Sequence, residues 1–300
     1  MSGNTSIQWT DATWSPVVGC FPVSSGCSHC WAARQASRRM CRSHTDLARY
    51  GKWLGEVRCL PDRLYEPLHW KKPRRIAVSL MGDLFHEKVP DSFIARVFST
   101  MGSCPHHTFQ VLTKRPSRML SMFRSVAWAA YKPLPNIWLG VSVEDQKTAD
   151  ERIPLLLQTP AAVRFVSFEP LLGRIVPQLI SKPWCEECGG TGYGGDIGPG
   201  VRGNNEYGPC DCREKRKINW VICGGESGPG ARPCDVDWIR SLVEQCKAAG
   251  VPCFVKQLGA RPLTGLNEGE VGTVRVHLSD NKGGDPAEWP ENLRVREFPI

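Results

Sequence analysis

Cys20, Cys27 and Cys30 lie in one short stretch, GCFPVSSGCSHCWAAR over residues 19–34, which then runs into helical spacing. Three thiolates do not close a tetrahedral metal site. They can hold three irons of a [4Fe–4S] cluster and leave the fourth iron open to a small chelating ligand. S-adenosylmethionine is such a ligand, through its amino and carboxylate groups. An electron from the cluster breaks its C–S bond and leaves a 5′-deoxyadenosyl radical. The competing chemistry is a zinc site completed by His29, Cys41 or Cys59, in a nucleic-acid-binding module with two structural zinc sites. His29 sits inside the Cys27–Cys30 knuckle, and Cys41 lies about three helical turns beyond Cys30. Both are awkward fourth ligands, so the cluster is the favoured reading.

A second cysteine set occupies a Gly-rich, polar interruption over residues 181–217. Cys185 and Cys188 form a C-x-x-C pair that faces the C-x-C pair Cys210 and Cys212. Two knuckles of this kind make a closed four-thiolate site for Zn²⁺, structural rather than catalytic, because no coordination position stays open. The string CEECGGTG resembles the glycine-rich zinc knuckles of DnaJ-type chaperones. The segment is expected to be disordered without its metal.

The elements that must position these groups follow a rhythm. RRIAVSLMGD, HTFQVLTKRP, NIWLGVSVED, AVRFVSFEPLLG, INWVICGGESG and VPCFVKQLG read as buried strands, after a first short strand in IQWTDATWSPVVGC. Between them DSFIARVFSTMGSC, SRMLSMFRSVAWAA, QKTADERIPLLLQTP and DVDWIRSLVEQCKAAG read as amphipathic helices, with Asp91 as a helix N-cap. CWAARQASRRMCRS is the first helix. Apolar strands alternating with helices predict a parallel sheet, covered on both faces or closed into a barrel. The fold class expected is α/β, a partial (β/α) TIM-like barrel with a small four-cysteine metal-binding insertion. Residues 1–180 and 218–258 form the barrel, 181–217 the insertion, and 259–300 an extension with two short strands.

Polar residues gather at the predicted strand ends: Gly82 and Asp83, Lys114 and Arg115, Ser142 and Glu144, Glu169, and Gly225-Glu226-Ser227. Chemistry in open and closed α/β sheets sits at that edge. The cysteine loop follows the first strand and belongs at the same end. Two lesser readings use other residues: a hydrolase site of Asp83, His86 and Glu87, and a thiol nucleophile at Cys223, for which a buried structural thiol is the simpler account.

The chain has 300 residues, 41% hydrophobic and 23% charged, which suffices for a core without staples. It shows no apolar run of membrane-spanning length and no secretory leader in MSGNTSIQWTDATWSP, so a cytoplasmic setting is expected. Clustered thiols among the fourteen cysteines then suggest metal rather than disulfides. The charge of +8, with an Arg- and Lys-rich stretch between Arg34 and Arg75 interleaved with Trp53, Tyr65 and Trp70, leans toward a polyanion such as nucleic acid. The plainer reading of that stretch is a solvated face with aromatic anchors.

A first strand, a cysteine loop, a helix and repeated βα units with polar strand ends resemble the radical S-adenosylmethionine superfamily. The superfamily's usual motif has three residues between its first two cysteines and two between the last pair. Here the spacings are six and two. More closely, the chain resembles a phage-associated family of poorly assigned chemistry, through WSP at Trp14–Pro16, Gly19-Cys20 and GCSHC at Gly26–Cys30. The match continues through MGDLFHE at Met81–Glu87, LTKRP at Leu112–Pro116, SFEPLL at Ser167–Leu172 and GGESG at Gly224–Gly228.

The resemblance implies that Gly82 and Asp83 meet the methionine end of S-adenosylmethionine. Ser142 and Glu144 would meet the ribose, and His29 would lie beside the adenine. Lys114, Arg115, Glu169 and Glu226 would line the carboxylate or substrate rim. It further implies an electron donor such as flavodoxin or ferredoxin and a nucleic-acid or nucleotide substrate, with thymine-type hypermodification in phage DNA favoured over base repair or tRNA modification. The location would then be the host cytoplasm.

Overall fold

The computed structural model describes residues 3–38, 46–179, 193–199, 205–209, 217–265 and 274–299. One sheet of eight strands organises it. In chain order these are β1 (Gly3–Asn4), β2 (Ala12–Trp14), β3 (Arg75–Val78), β4 (Thr108–Thr113), β5 (Ile137–Ser142), β6 (Val163–Phe168), β7 (Trp220–Gly224) and β8 (Cys253–Gln257). Only β1 runs antiparallel, against β2; β2 to β8 are parallel and stand in sequence order. The sheet is curled into a half-barrel and stays open. β7 follows β6 as its direct neighbour, so residues 181–217 are inserted between adjacent strands. Of that insertion, Tyr193–Pro199 and Asn205–Pro209 pair as an antiparallel ribbon. Cys185, Cys188, Cys210 and Cys212 lie outside the described residues.

The strands read as apolar runs because both faces are buried. Alternate residues such as Val111, Val141, Val166 and Val255 pack outward into the main core. They meet α2 (Asp91–Gly102), α3 (Pro116–Arg124), α4 (Gln146–Gln158) and α5 (Val236–Ala249), which contribute Ile94, Met119, Ile153 and Ile239. The other set faces the concave side, where Trp9, Phe165, Trp220 and Phe254 close the floor. The C-terminal segment completes that floor: Phe298 lies 5.3 Å from both Trp220 and Phe254, ring centre to ring centre. Trp220 Nε1 donates to the Glu297 carbonyl at 2.8 Å.

Helix boundaries follow local chemistry. Asp145 caps α4 in a capping box with Thr148, and Asp235 caps α5, which ends at Gly250 with φ 63°. Asp91 is not the cap expected for α2. Pro90 holds that position, and the Asp91 carboxylate accepts instead from Arg118 Nη2 at 2.7 Å. α3 stops at Arg124, where Ser125 turns extended, rather than continuing to residue 130. Among the described residues after Gly259, Val274–Arg275 pairs with Pro262–Thr264, while Arg296 makes a lone bridge to Phe254. Prolines, glycines and Asp285 turn the rest into short 3-10 pieces.

Gly140 in β5 sits under the Phe165 ring, and a Cβ there would fall 2.5 Å from Phe165 Cζ. The ring is fully buried and packs on Trp220, 5.8 Å between ring centres. Gly140→Ala is therefore expected to destabilise the fold by about 1–3 kcal/mol, by overpacking, read as a lower urea midpoint with an unchanged slope.

Candidate functional site

The half-barrel opens at the C-terminal ends of its strands into a cleft. Cys20, Cys27 and Cys30 all line it, with Ser79, Gly82, Asp83, Lys114, Arg115 and Ser142 opposite. The three cysteines come from a loop with almost no regular structure, a single 3-10 turn at Ser25–Cys27 before α1 (Trp31–Arg38). Side chains from the barrel must therefore hold the loop. Its entry is laid on the segment that follows β3: Gly19 N–H donates to the Met81 carbonyl at 2.9 Å, and Gly19 and Gly82 form a parallel bridge. Gly19 has φ 89° and lies against the Glu56 carbonyl, and a Cβ on Gly82 would come 2.8 Å from the Gly19 carbonyl. No other residue type makes that approach.

Arg115 pins the first cysteine. Pro116 takes the first position of α3, so Lys114 and Arg115 fall in the tight connection after β4. The buried Arg115 guanidinium donates to Glu87 at 3.0 Å, to the Phe21 carbonyl at 3.1 Å, to Cys20 Sγ at 3.6 Å and to Asp83 at 3.4 Å. Asp83 also accepts from Thr113 Oγ1 at 2.7 Å and from the backbone N–H groups of Phe85 and Lys114. Its carboxylate lies on the cleft wall with four donors around it.

Glu144 pins the middle of the loop. It is fully buried, accepts from Ser24 Oγ at 3.1 Å and from Arg152 Nη1 at 3.1 Å, and pairs with Lys114 Nζ. A side chain at Gly26 would overlap it. Glu144 does not itself line the cleft, and in this structure it latches the loop to the barrel. The end of the loop is held from β7. His29 Nδ1 lies 2.9 Å from Glu226 Oε2, Arg232 forks onto Glu226 at 2.8 Å and reaches the Ser25 carbonyl at 2.8 Å, and Arg34 donates to the His29 carbonyl. His29 and Glu226 thus meet each other, away from the cleft lining. Glu169 pairs with Lys256 at 2.8 Å and accepts from Ser167, also outside the lining.

The remaining alternatives are placed as follows. Cys59 pairs in a short ribbon with Val17 and does not line the cleft. Cys41 lies outside the described residues. Cys223 is buried with its side chain in the outer core. His86 is buried with Nδ1 3.1 Å from the Lys88 backbone N–H. Its nearest acid is Glu87 at 3.5 Å, and Asp83 is taken by Arg115 and Thr113. Among the described residues no three His, Cys, Asp or Glu side chains are grouped to hold a single metal ion.

Three groups at the site carry no local signature in the amino-acid sequence. Ser79 lines the cleft with φ 55°, unusual for a non-glycine residue, and its Oγ is buried with no hydrogen-bond partner. Phe21 and Trp53 form apolar wall. Arg232, the clamp on Glu226, is separated from the loop by about two hundred residues, and nothing local marks it.

Cys20 and Cys27 are electrostatically unequal. Burial and the Asp83 charge push the Cys20 thiol up to about 12, against the pull of Arg115. Burial opposes ionisation at Cys27 too, but the Lys114 charge and hydrogen bonds from Val23 and Ser24 outweigh it and hold its pKa below the ordinary thiol value. In metal-free protein Cys27 should therefore react with iodoacetamide before Cys20, and Lys114→Met should slow it, as followed by mass spectrometry of the alkylated peptides.

Burial works against the Glu226 carboxylate, but hydrogen bonds from Arg232 and His29 bring its pKa down to about 2. A carboxylate depressed in the folded state stabilises above its unfolded value and loses that contribution as pH falls through the folded one. The clamp on the loop should weaken between about pH 4.5 and 2. Glu226→Gln should be less stable at pH 7 and show a flatter loss over that window, in thermal melts against pH.

Among the described residues no helix is long and apolar enough to cross a membrane. Neither a curated protein nor a solved structure matches the chain. Residues 4–281 match the model of a family described as "Protein of unknown function (DUF5131)", and the chain belongs to that family.

Proposed function

We propose that the protein is a radical S-adenosylmethionine enzyme that modifies a nucleobase. One observation carries this reading: Cys20, Cys27 and Cys30 line a single cleft at the C-terminal edge of a parallel half-barrel. That is the donor set for a [4Fe–4S] cluster with one iron left open, and Cys20, Cys27 and Cys30 would hold it. When bound, such a cluster supplies the electron that splits S-adenosylmethionine into methionine and a 5′-deoxyadenosyl radical.

The chain's own residues fit a ligand beside those thiols. Lys114 favours the thiolate at Cys27. Ser79, whose buried hydroxyl has no hydrogen-bond partner, stands in the same wall as the bare backbone of Gly82. Ser142 offers a second hydroxyl on the same wall. Phe21 and Trp53 add an apolar wall to the approach. Asp83, already engaged with Arg115 and Thr113, orients that wall and balances its charge.

The net charge of +8 and the sequence resemblance support a nucleic-acid or nucleotide substrate, with a thymine-type base in phage DNA favoured and base repair or tRNA modification as the neighbouring reactions. The same resemblance supports a flavodoxin or ferredoxin as reductant. The insertion cysteines Cys185, Cys188, Cys210 and Cys212 belong to this reading as a Zn²⁺ scaffold.

Protein purified without oxygen should be brown, with about four irons beyond any zinc, and each of Cys20→Ala, Cys27→Ala and Cys30→Ala should lose most of that iron. With a reductant, the wild type should release 5′-deoxyadenosine and methionine from S-adenosylmethionine. Colourless protein that takes up only zinc after anaerobic reconstitution would reject the radical reading.

A further inference from the structure

A short hairpin stands beside the mouth of the cleft. Ala48–Arg49 pairs antiparallel with Lys52–Trp53, and Tyr50-Gly51 forms the two-residue turn between them. Both turn residues have positive φ, 50° and 76°, as the tight turn of a twisted hairpin demands. One face of the hairpin is firmly seated. Ala48 packs with Ala32 and Ala36 of α1, joined by Trp53, and Gly51 N–H donates to Ser37 Oγ at 2.9 Å. Trp53 also forms part of the cleft wall, next to Phe21, which is 57% exposed.

The other face is built against local stability in two independent ways. Arg49 and Lys52 are directly opposite each other across the pair, and both are exposed. Like charges in that position repel. Tyr50 adopts a left-handed conformation that a bulky side chain enters only at a cost, and it is 85% exposed, so packing does not compensate. The ring is nevertheless organised: the Arg49 guanidinium lies 5.0 Å over it. Two exposed cations beside an exposed aromatic ring is the combination that binds a phosphate chain and stacks a base.

We infer that the Ala48–Trp53 hairpin is a docking site for single-stranded nucleic acid. Arg49 and Lys52 take backbone phosphates, and Tyr50 stacks a base. The neighbouring base is thereby presented to the cleft past Phe21 and Trp53. A strand paired in a duplex keeps its bases inside the stack and cannot offer these two faces together. This inference names the partner of the site proposed above and relies on that reading only for the chemistry done inside the cleft.

The test is fluorescence anisotropy with a labelled 20-nucleotide mixed-sequence DNA strand and the full-length protein, across a salt series. Arg49→Ala and Lys52→Ala should each lower the slope of log Kd against log salt by about 0.7, one phosphate contact apiece. Tyr50→Asn keeps a residue that accepts the left-handed turn, and should weaken binding about tenfold at fixed salt with the slope unchanged. All three variants should melt no lower than the wild type, which separates a lost contact from a damaged fold. Wild-type affinity in all three variants, or a wild type that binds poly-glutamate as tightly as the strand, would overturn the docking site. So would tighter binding to the matched duplex. The measurement needs no cluster. Protein that binds the strand through these residues but never takes up iron would keep the docking site and reject the radical chemistry; iron-loaded protein indifferent to the strand would do the reverse.

Discussion

The buried carboxylate of Glu144 is the constraint around which the upper half of the molecule is arranged. It has no access to solvent, and it meets Lys114 from the end of β4, Arg152 from α4 and Ser24 from the cysteine loop. A charge taken out of water is tolerated only when its partners stay in place, and losing one of them costs several kcal/mol, about 3–5 in comparable buried pairs. Strand, helix and loop are therefore held in one relation. The carboxylate also dictates composition nearby: only glycine fits at position 26, where a side chain would overlap Glu144. The middle of the cysteine loop is thus located by a group that does not touch the cleft.

The two flanks of the loop are held by arginines, and the choice is physical. Arg115 and Arg232 each serve several acceptors at fixed angles, which a lysine cannot do. Each fork joins a carboxylate of the barrel to a loop carbonyl: Arg115 joins Glu87 to Phe21, and Arg232 joins Glu226 to Ser25. The loop needs this because it has little regular hydrogen bonding of its own. The cysteines then face the cleft as a consequence of contacts made at their neighbours. Lys114 acts on both sides, latching Glu144 while lowering the pKa of Cys27.

The concave side of the half-barrel divides by depth. Its lower part is an aromatic floor of Trp9, Phe165, Trp220 and Phe254, sealed by Phe298 from the C-terminal segment. Its upper part turns polar at Ser79, Lys114 and Ser142. The floor gives the cleft a rigid base. It also explains why the last residues, which carry no evident chemistry, are integral to the fold.

The order and kind of the elements were legible in the amino-acid sequence, because a strand buried on both faces is a continuous apolar run and a helix against it repeats every 3.6 residues. So was the gathering of Cys20, Cys27, Cys30, Gly82, Asp83, Lys114 and Ser142 at one edge, since parallel strands put all their C-termini on the same side. Tertiary structure alone decided which polar strand-end residues face the cleft and which serve as braces. Glu144 turned inward to cations, His29 and Glu226 turned to each other across 197 positions, and Glu169 went to Lys256. It alone put Ser79 into a left-handed conformation on the cleft wall, and Arg49 opposite Lys52 beside an exposed Tyr50. Periodicity is a property of neighbours along the chain. The partner of a charge is set by whatever distant segment packing brings within reach, and no local pattern records it.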